Sequence, residues 1–324
     1  MCYSAEAWTL FDAYKKHTGA EINMRAFWEL YLQRQERFRI RGNAADAPRL
    51  PKGLDLNFLA PSSPMEEAIH ALIAEWNAHK VSESEQELFK QAKRLADAER
   101  KLAVKETKTA LNEQRIATNK IAQLKRWIGD AKRTTLQASV DNRVFPDWYL
   151  PVVVVEDGQK VVRPMRYHCR PAGRDPSIDR TRDGRVSGTY NARRDNLTRF
   201  WRQQFGHTHG LMIADTFYEN VDDGWGGSKE IQFRPRTQEP MLVACLWSKW
   251  TDPQGIEPDL YSFAAVTDDP EPEVAAEGHD RTIVNLKPEH VDAWLTPEGR
   301  STEELFGLLD DKRHPFYEVI KKAA

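Results

Sequence analysis

From residue 65 to residue 128 the chain contains neither glycine nor proline, the longest such interval in its sequence. A stretch without helix breakers, dense in Lys, Glu, Arg, Gln and Ala, has little to fold into except helix. Leu88, Leu95 and Leu102 are seven residues apart, and Ile121, Leu124 and Ile128 repeat a similar register. The segment therefore reads as one or two long amphipathic helices, a helical hairpin or short coiled coil. Pro64 opens it and Gly129 closes it. We expect residues 65–128 to be an insertion into one domain built from residues 1–64 and 129–324. A structural spacer is the simplest role for such an arm, and self-association or a protein partner is the alternative.

Beyond residue 129 the texture turns to β. Residues 152–155, Asp157-Gly158 and residues 161–167 predict a hairpin, because Asp-Gly supplies the positive φ angles of a tight turn. Residues 211–214, 241–247 and 261–266 read as further strands. A short helix is predicted over 194–204, with Leu197, Phe200 and Trp201 on one face, and others over 288–295 and from the capping box Ser301-Thr302-Glu303-Glu304. Before the insertion, Trp8, Phe11 and Tyr14, then Met24, Phe27, Trp28 and Tyr31, have the spacing of helix faces that pack into a core, and residues 37–64 read as mostly loop. The expected class is α+β, a mainly antiparallel β-rich domain with short helices and a long helical insertion.

At 324 residues and 40% hydrophobic content the chain can bury a core. No apolar run approaches the roughly 20 residues of a membrane span, and no basic-then-apolar leader begins the sequence, so a cytoplasmic protein with no membrane association is expected. The three cysteines, Cys2, Cys169 and Cys245, form no CxxC pair and no even-numbered framework. Neither a metal site nor a disulfide scaffold is signalled, no cofactor is indicated, and Cys169 and Cys245 read as buried packing residues. Net charge is only −2, yet residues 163–202 hold eleven arginines against four aspartates and no lysine or glutamate, a local net of +7. Guanidinium forks suit phosphate, so this window, including Arg163, Arg166, Arg193 and Arg194, is a candidate nucleic-acid grip; a solvated face offset by acidic neighbours is the plainer alternative.

Chemistry concentrates at a few positions. Removal of Met1 would leave Cys2 with a thiol and an α-amine on adjacent carbons, each partly nucleophilic at neutral pH. Such a pair condenses with an aldehyde to an imine and then a five-membered thiazolidine; alternatively the sulfur serves a hydrolase as nucleophile with the amine as base. Asn191, in Tyr190-Asn191-Ala192-Arg193, would cap the following helix or fix a substrate group through its amide, beside Arg193 as a phosphate ligand. Glu219 follows the predicted strand among aromatics, where partial burial would suit it to proton transfer, although an exposed loop is the commoner setting. His279, in Gly278-His279-Asp280-Arg281, is either a proton shuttle or a surface histidine. Trp201, Tyr218 and Trp225 could stack on bases, with a core role favoured for Trp201.

In this order, Met1-Cys2, Tyr190-Asn191-Ala192-Arg193, Phe217-Tyr218-Glu219 and His279-Asp280-Arg281 resemble the SOS-response-associated peptidase family of abasic-site processing proteins. The resemblance runs from Cys2 to about Pro315, with 65–128 as an insertion. It implies a protein of the DNA-damage response whose mature Cys2 links covalently to an abasic site in single-stranded DNA, with Glu219 and His279 as proton-transfer groups, Asn191 and Arg193 holding the N-terminus and a phosphate, and peptidase or lyase activity as possible companions. The sequence departs from the family pattern at Tyr3-Ser4 for Gly-Arg, at Asp195 for glutamate and at Thr282-Ile283 for Met-Pro; the nearest counterpart of its Asn-x-Ala-Pro segment is Asn57-Phe58-Leu59-Ala60-Pro61. The alternative is an N-terminal-nucleophile amidohydrolase or cysteine peptidase in which Cys2, His279 and Asn191 form a Cys-His-Asn set.

Overall fold

The structure, a computed structural model, describes residues 4–41, 47–222, 224 and 226–321. The expectations placed on Cys2 and Trp225 lie outside them. In chain order the elements are β1 (Ser4–Ala7), α1 (Phe11–Thr18), β2 (Glu21–Ile22), α2 (Met24–Arg41), α3 (Lys52–Asp55), α4 (Pro64–Val104), α5 (Lys108–Lys132) and α6 (Ala138–Asp141). There follow β3 (Arg143–Val144), β4 (Tyr149–Glu156), β5 (Gln159–Tyr167), β6 (Asn191–Arg193), β7 (His209–Asp222), β8 (Ser228–Pro235), β9 (Met241–Trp250) and β10 (Leu260–Asp268). The chain closes with α7 (Pro272–Ala276), β11 (Thr282–Ile283), α8 (Val291–Leu295), α9 (Thr302–Asp310) and β12 (Tyr317–Lys321). Two compact units result, residues 58–135 and the remainder. No helix among the described residues is long and apolar enough to cross a membrane.

The smaller unit is the helical hairpin α4–α5. Ser63 caps α4 by accepting from the Glu66 N–H at 3.3 Å, with Pro64 in the first turn, and Thr107 caps α5 by accepting from the Ala110 N–H at 3.2 Å. That second cap, rather than a glycine or proline, divides the Gly/Pro-free stretch into two helices. Ala98, Ala110 and Ala117 are buried with Ile69, Ile73 and Leu124, so small side chains let the helices approach while the larger ones fill the seam. Arg94 of α4 pairs with Glu113 of α5. Gly129 does not end the hairpin: α5 continues to Lys132, with open space where a Cβ would stand.

The larger unit is built on one sheet in which all twelve described strands join. Most pairings are antiparallel; β2–β5, β5–β10 and β6–β10 are parallel. The α+β class is therefore as expected. At the β4–β5 turn Asp157 and Gly158 take φ of 50° and 78°, as that hairpin requires. Leu150, Val152, Val154, Met165, Phe217, Phe233, Val243 and Phe263 form its buried core. Asn57 braces the N-terminal part: its Oδ1 accepts from the Phe11 N–H at 2.8 Å, and its Nδ2 donates to the Thr9 and Leu54 carbonyls at 2.8 and 3.0 Å. The thiols of Cys169 and Cys245 are fully buried, and burial pushes the first up to about 12 and the second higher still, which keeps both protonated.

Three expectations need correction. Residues 194–204 are not an α-helix: a 3₁₀ turn over Arg194–Asn196 is followed by consecutive turns, although Leu197 and Trp201 are buried as their spacing suggested. Among the described residues of 37–64, helix covers 37–41 and 52–55 and a 3₁₀ turn Leu56–Phe58, so the expected loop is confined there to 47–51 and 59–63. The strand expected to end at Ala214 continues to Asp222. Beyond Ala214, β7 exchanges β9 for β8 as a neighbour and also pairs with β1, so polar residues in its second half are covered on both sides.

Candidate functional site

The lengthening of β7 decides the setting of Glu219. It lies within the strand opposite Ile231 of β8, 1% exposed, rather than in a loop after it. The opposing element is the turn after α7, where Gly278 at φ 85° lets the chain reverse and bring His279 back over the strand. His279 Nε2 stands 3.1 Å from Glu219 Oε2, with both side chains almost wholly buried. On the other side of the ring, Nδ1 is 3.0 Å from the Arg281 carbonyl. A carbonyl only accepts, so Nδ1 carries the hydrogen and Nε2 is the ring nitrogen turned toward the carboxyl group. A carboxyl group and an imidazole in contact in a desolvated place are the residue types that general acid–base chemistry uses.

Asn191 begins β6, opposite Ala265 in the parallel ladder with β10. Its side chain is 5% exposed, and neither Oδ1 nor Nδ2 has a hydrogen-bond partner among the described residues. It caps nothing: Arg193 stands at the N-cap of the following 3₁₀ turn, without a side-chain cap. A buried amide left unpaired costs on the order of 1–3 kcal/mol, which suits a group held for a ligand better than one held for the fold. Thr267 Oγ1 of β10 and Thr282 Oγ1 of β11 are likewise buried without partners.

A groove of about 670 Å³ runs along this edge, lined by Arg193, Arg194, Thr267, Asp268, Asp280 and Arg281 among others. Asp280 takes two hydrogen bonds from Arg281, at 2.7 and 3.1 Å, which hold its carboxyl down to about 2. Arg281 is stabilised as a cation first by Asp280 and then through the nearby Glu219 and Tyr190, so its charge links the buried pair to the segment carrying Asn191. Arg193 pairs with Asp195 at 3.2 Å and is nearly half exposed. Arg194, by contrast, is held by Asp268 at 3.1 Å and by Asp310.

Among the expected residues, Glu219 and His279 are thus in contact, Asn191 presents an unpaired amide, and Arg193 and Arg194 share the groove. Arg163 and Arg166 are elsewhere, on β5. Arg163 is bidentate to Glu156 at 2.6 and 3.2 Å and lies 4.1 Å over the Tyr261 ring, while Arg166 binds Asp179 at 2.8 Å. Trp201 and Tyr218 are buried. Sequence reasoning did not single out Arg143. From β3 it donates to Ser4 Oγ at 2.9 Å, pairs with Glu230 and stands 3.9 Å over the Tyr218 ring. With Arg143 and Ser4 separated by 139 positions in the chain, no local pattern could have shown it.

The family model for SOS response associated peptidase (SRAP) matches residues 103–322, a span that contains Asn191, Arg193, Glu219 and His279 and begins after Cys2. Similar solved structures include a protein from Bordetella bronchiseptica, 18% identical over 56% of this chain and 88% of that one, with a TM-score of 0.46. A phage-related protein from the same organism is 20% identical over 56% and 81%, with a TM-score of 0.43. A protein from Bacteroides thetaiotaomicron is 16% identical over 53% and 73%, with a TM-score of 0.42. No curated protein matches the chain.

Proposed function

The chain belongs to the SOS response associated peptidase family, and within the DNA-damage role that membership carries we propose that it captures abasic sites in single-stranded DNA through Cys2. The observation that carries this reading is the buried contact of Glu219 with His279 Nε2 at 3.1 Å. The strand register supports it: Ser4 lies opposite Tyr218, the neighbour of Glu219. Cys2 is two residues before Ser4, so the covalent chain alone keeps its Cα within about 7–8 Å of that point.

The abasic deoxyribose is mostly a closed hemiacetal, and opening it requires a proton on the ring oxygen and removal of one from the hydroxyl. Glu219, backed by His279, supplies that exchange. The α-amine of Cys2 then adds to the aldehyde carbon, and the resulting hydroxyl leaves as water when protonated, giving the imine. Addition of the sulfur to the imine carbon closes a thiazolidine, the nitrogen taking the proton given up by the thiol. One water is released overall. The Asn191 amide, with an acceptor at one end and a donor at the other, suits the α-amine and a sugar hydroxyl; Arg193 and Arg281 suit flanking phosphates. The peptidase reading keeps Cys2 as nucleophile and His279 as base, and turnover of a peptide without DNA is its mark.

The test is adduct formation. Protein shown by intact mass to have lost Met1, incubated with single-stranded DNA bearing one abasic site, should give a heat-stable protein–DNA adduct that Cys2→Ala abolishes. Glu219→Gln should slow it by roughly 100-fold or more. No adduct from the wild-type protein overturns the reading.

A further inference from the structure

A cavity of about 490 Å³ opens where α2, β4, β5 and the loop before β10 meet, and five guanidinium groups line it: Arg37, Arg49, Arg166, Arg170 and Arg180. Their carboxylate partners do not balance them. Arg37 pairs with Glu257, and Arg180 with Asp147 at 2.8 Å. Arg166 and Arg170 share a single carboxylate, Asp179. Asp259, the remaining acid of the lining, is taken by Lys249 at 2.7 Å. Arg49 is exposed and has no ion pair among the described residues. Two positive charges are therefore left over.

One donor of the lining residues is also unused. Arg166 Nη2 is buried with no hydrogen-bond partner among the described residues, an N–H group with nowhere to donate. Arg170 is fixed in position, 4.4 Å over the Trp250 ring. Burial raises the Tyr149 phenol above its ordinary value while Arg166, Arg37 and Arg170 all act to lower it, so three of the charges converge on one point of the wall. Ala47, Pro48, Pro176, Pro258 and Leu260 make the rest of that wall apolar.

We propose that this cavity binds a phosphate monoester carried on a nucleoside-sized body. Such a group bears a charge of about −1.5 to −2 at neutral pH, close to the surplus of the lining, and offers three oxygens to guanidinium forks. The apolar wall takes the nucleoside. The phosphate belongs to a free mononucleotide or to the end of a strand, the chemistry being shared. None of the five arginines lines the groove beside His279, so the site is independent of covalent capture at Cys2.

Calorimetric titration of the full chain with thymidine 5′-monophosphate and with thymidine tests it. The monophosphate should bind at least tenfold more tightly, and Arg49→Ala, an exposed change that leaves folding intact, should weaken it by about tenfold. Arg166→Lys, which keeps the charge and loses the fork, should weaken it as well. An oligothymidine that binds with a 5′-phosphate and not with a 5′-hydroxyl assigns the site to strand ends; binding of the mononucleotide alone assigns it to free nucleotides. Equal affinity for nucleotide and nucleoside, no binding of either at millimolar concentration, or indifference to both substitutions would overturn the proposal.

Discussion

Asn191 is the residue at which folding and function separate most clearly. Its buried, unpaired amide is a cost to the folded state that a leucine of similar size would not carry. Asn191→Leu should therefore leave stability unchanged or raise it by about 1 kcal/mol while reducing adduct formation on abasic DNA, as thermal melting and gel assay will show. A fall in stability with capture intact would make Asn191 a structural residue. His209 illustrates the opposite case, a histidine spent entirely on the fold. Nδ1 donates to the Trp294 carbonyl at 2.9 Å and Nε2 accepts from the Gly206 N–H at 2.8 Å, which only the neutral ring satisfies. Burial above all holds its pKa down to about 3. The unfolded chain takes up this proton near pH 6.5 and the folded chain does not, so its contribution is complete above 6.5 and is lost as pH falls toward 3. Denaturant melts of wild type and His209→Gln should converge between pH 7 and pH 4, the wild type losing up to about 3 kcal/mol more.

At the scale of elements, the hairpin and β7 show what a sequence can and cannot announce. The helices were legible because 65–128 offers no alternative to helix, and the β4–β5 turn because Asp-Gly demands it. Gly129 misled, since one exposed glycine costs a helix only about 1 kcal/mol. Residues 194–204 carry a helical apolar spacing but fold as turns; the burial pattern survived while the hydrogen-bond pattern did not. The length of β7 was hidden because Asp215, Thr216 and Glu219 look like the end of a strand until β1 and β8 cover them, and that coverage is a tertiary fact. For the same reason the residue types of the Glu219–His279 pair were readable and their contact was not. Within the hairpin, Leu124 is the large buried side chain that α5 contributes beside Ala110 and Ala117. Leu124→Ala should cost about 2–5 kcal/mol in the unfolding of α4 and α5, followed by helical circular dichroism. A loss below about 0.5 kcal/mol, the size of an ordinary surface effect, would mean that Leu124 is not a core residue.

Over the whole molecule the arginine-rich window is less basic than its composition. Arg163, Arg166, Arg170, Arg180, Arg185, Arg193 and Arg194 each meet a carboxylate, several contributed from outside the window by Glu156, Asp147, Asp268 and Asp310. Only Arg174, Arg182, Arg199 and Arg202 have no ion pair among the described residues. The salt dependence of binding to undamaged single strands should accordingly be shallow, a log–log slope of roughly −4 for these four with Arg193 and Arg281, rather than the roughly −8 expected if all eleven arginines of the window met phosphates. A slope near the larger figure would mean that the internal ion pairs exchange for phosphate on binding.

The first strand has a mechanical consequence as well. β1 is four residues long and is laid against β7 and β3 by its backbone, with the Trp8 N–H anchored to the Ile213 carbonyl at 2.8 Å just beyond it. A protein joined to a nucleic acid strand through its second residue receives every tug on that strand at this point. Under the proposed capture, the load would pass first into a short ladder beside Glu219, so tension on the joined strand would act on β1 before it reached the rest of the sheet.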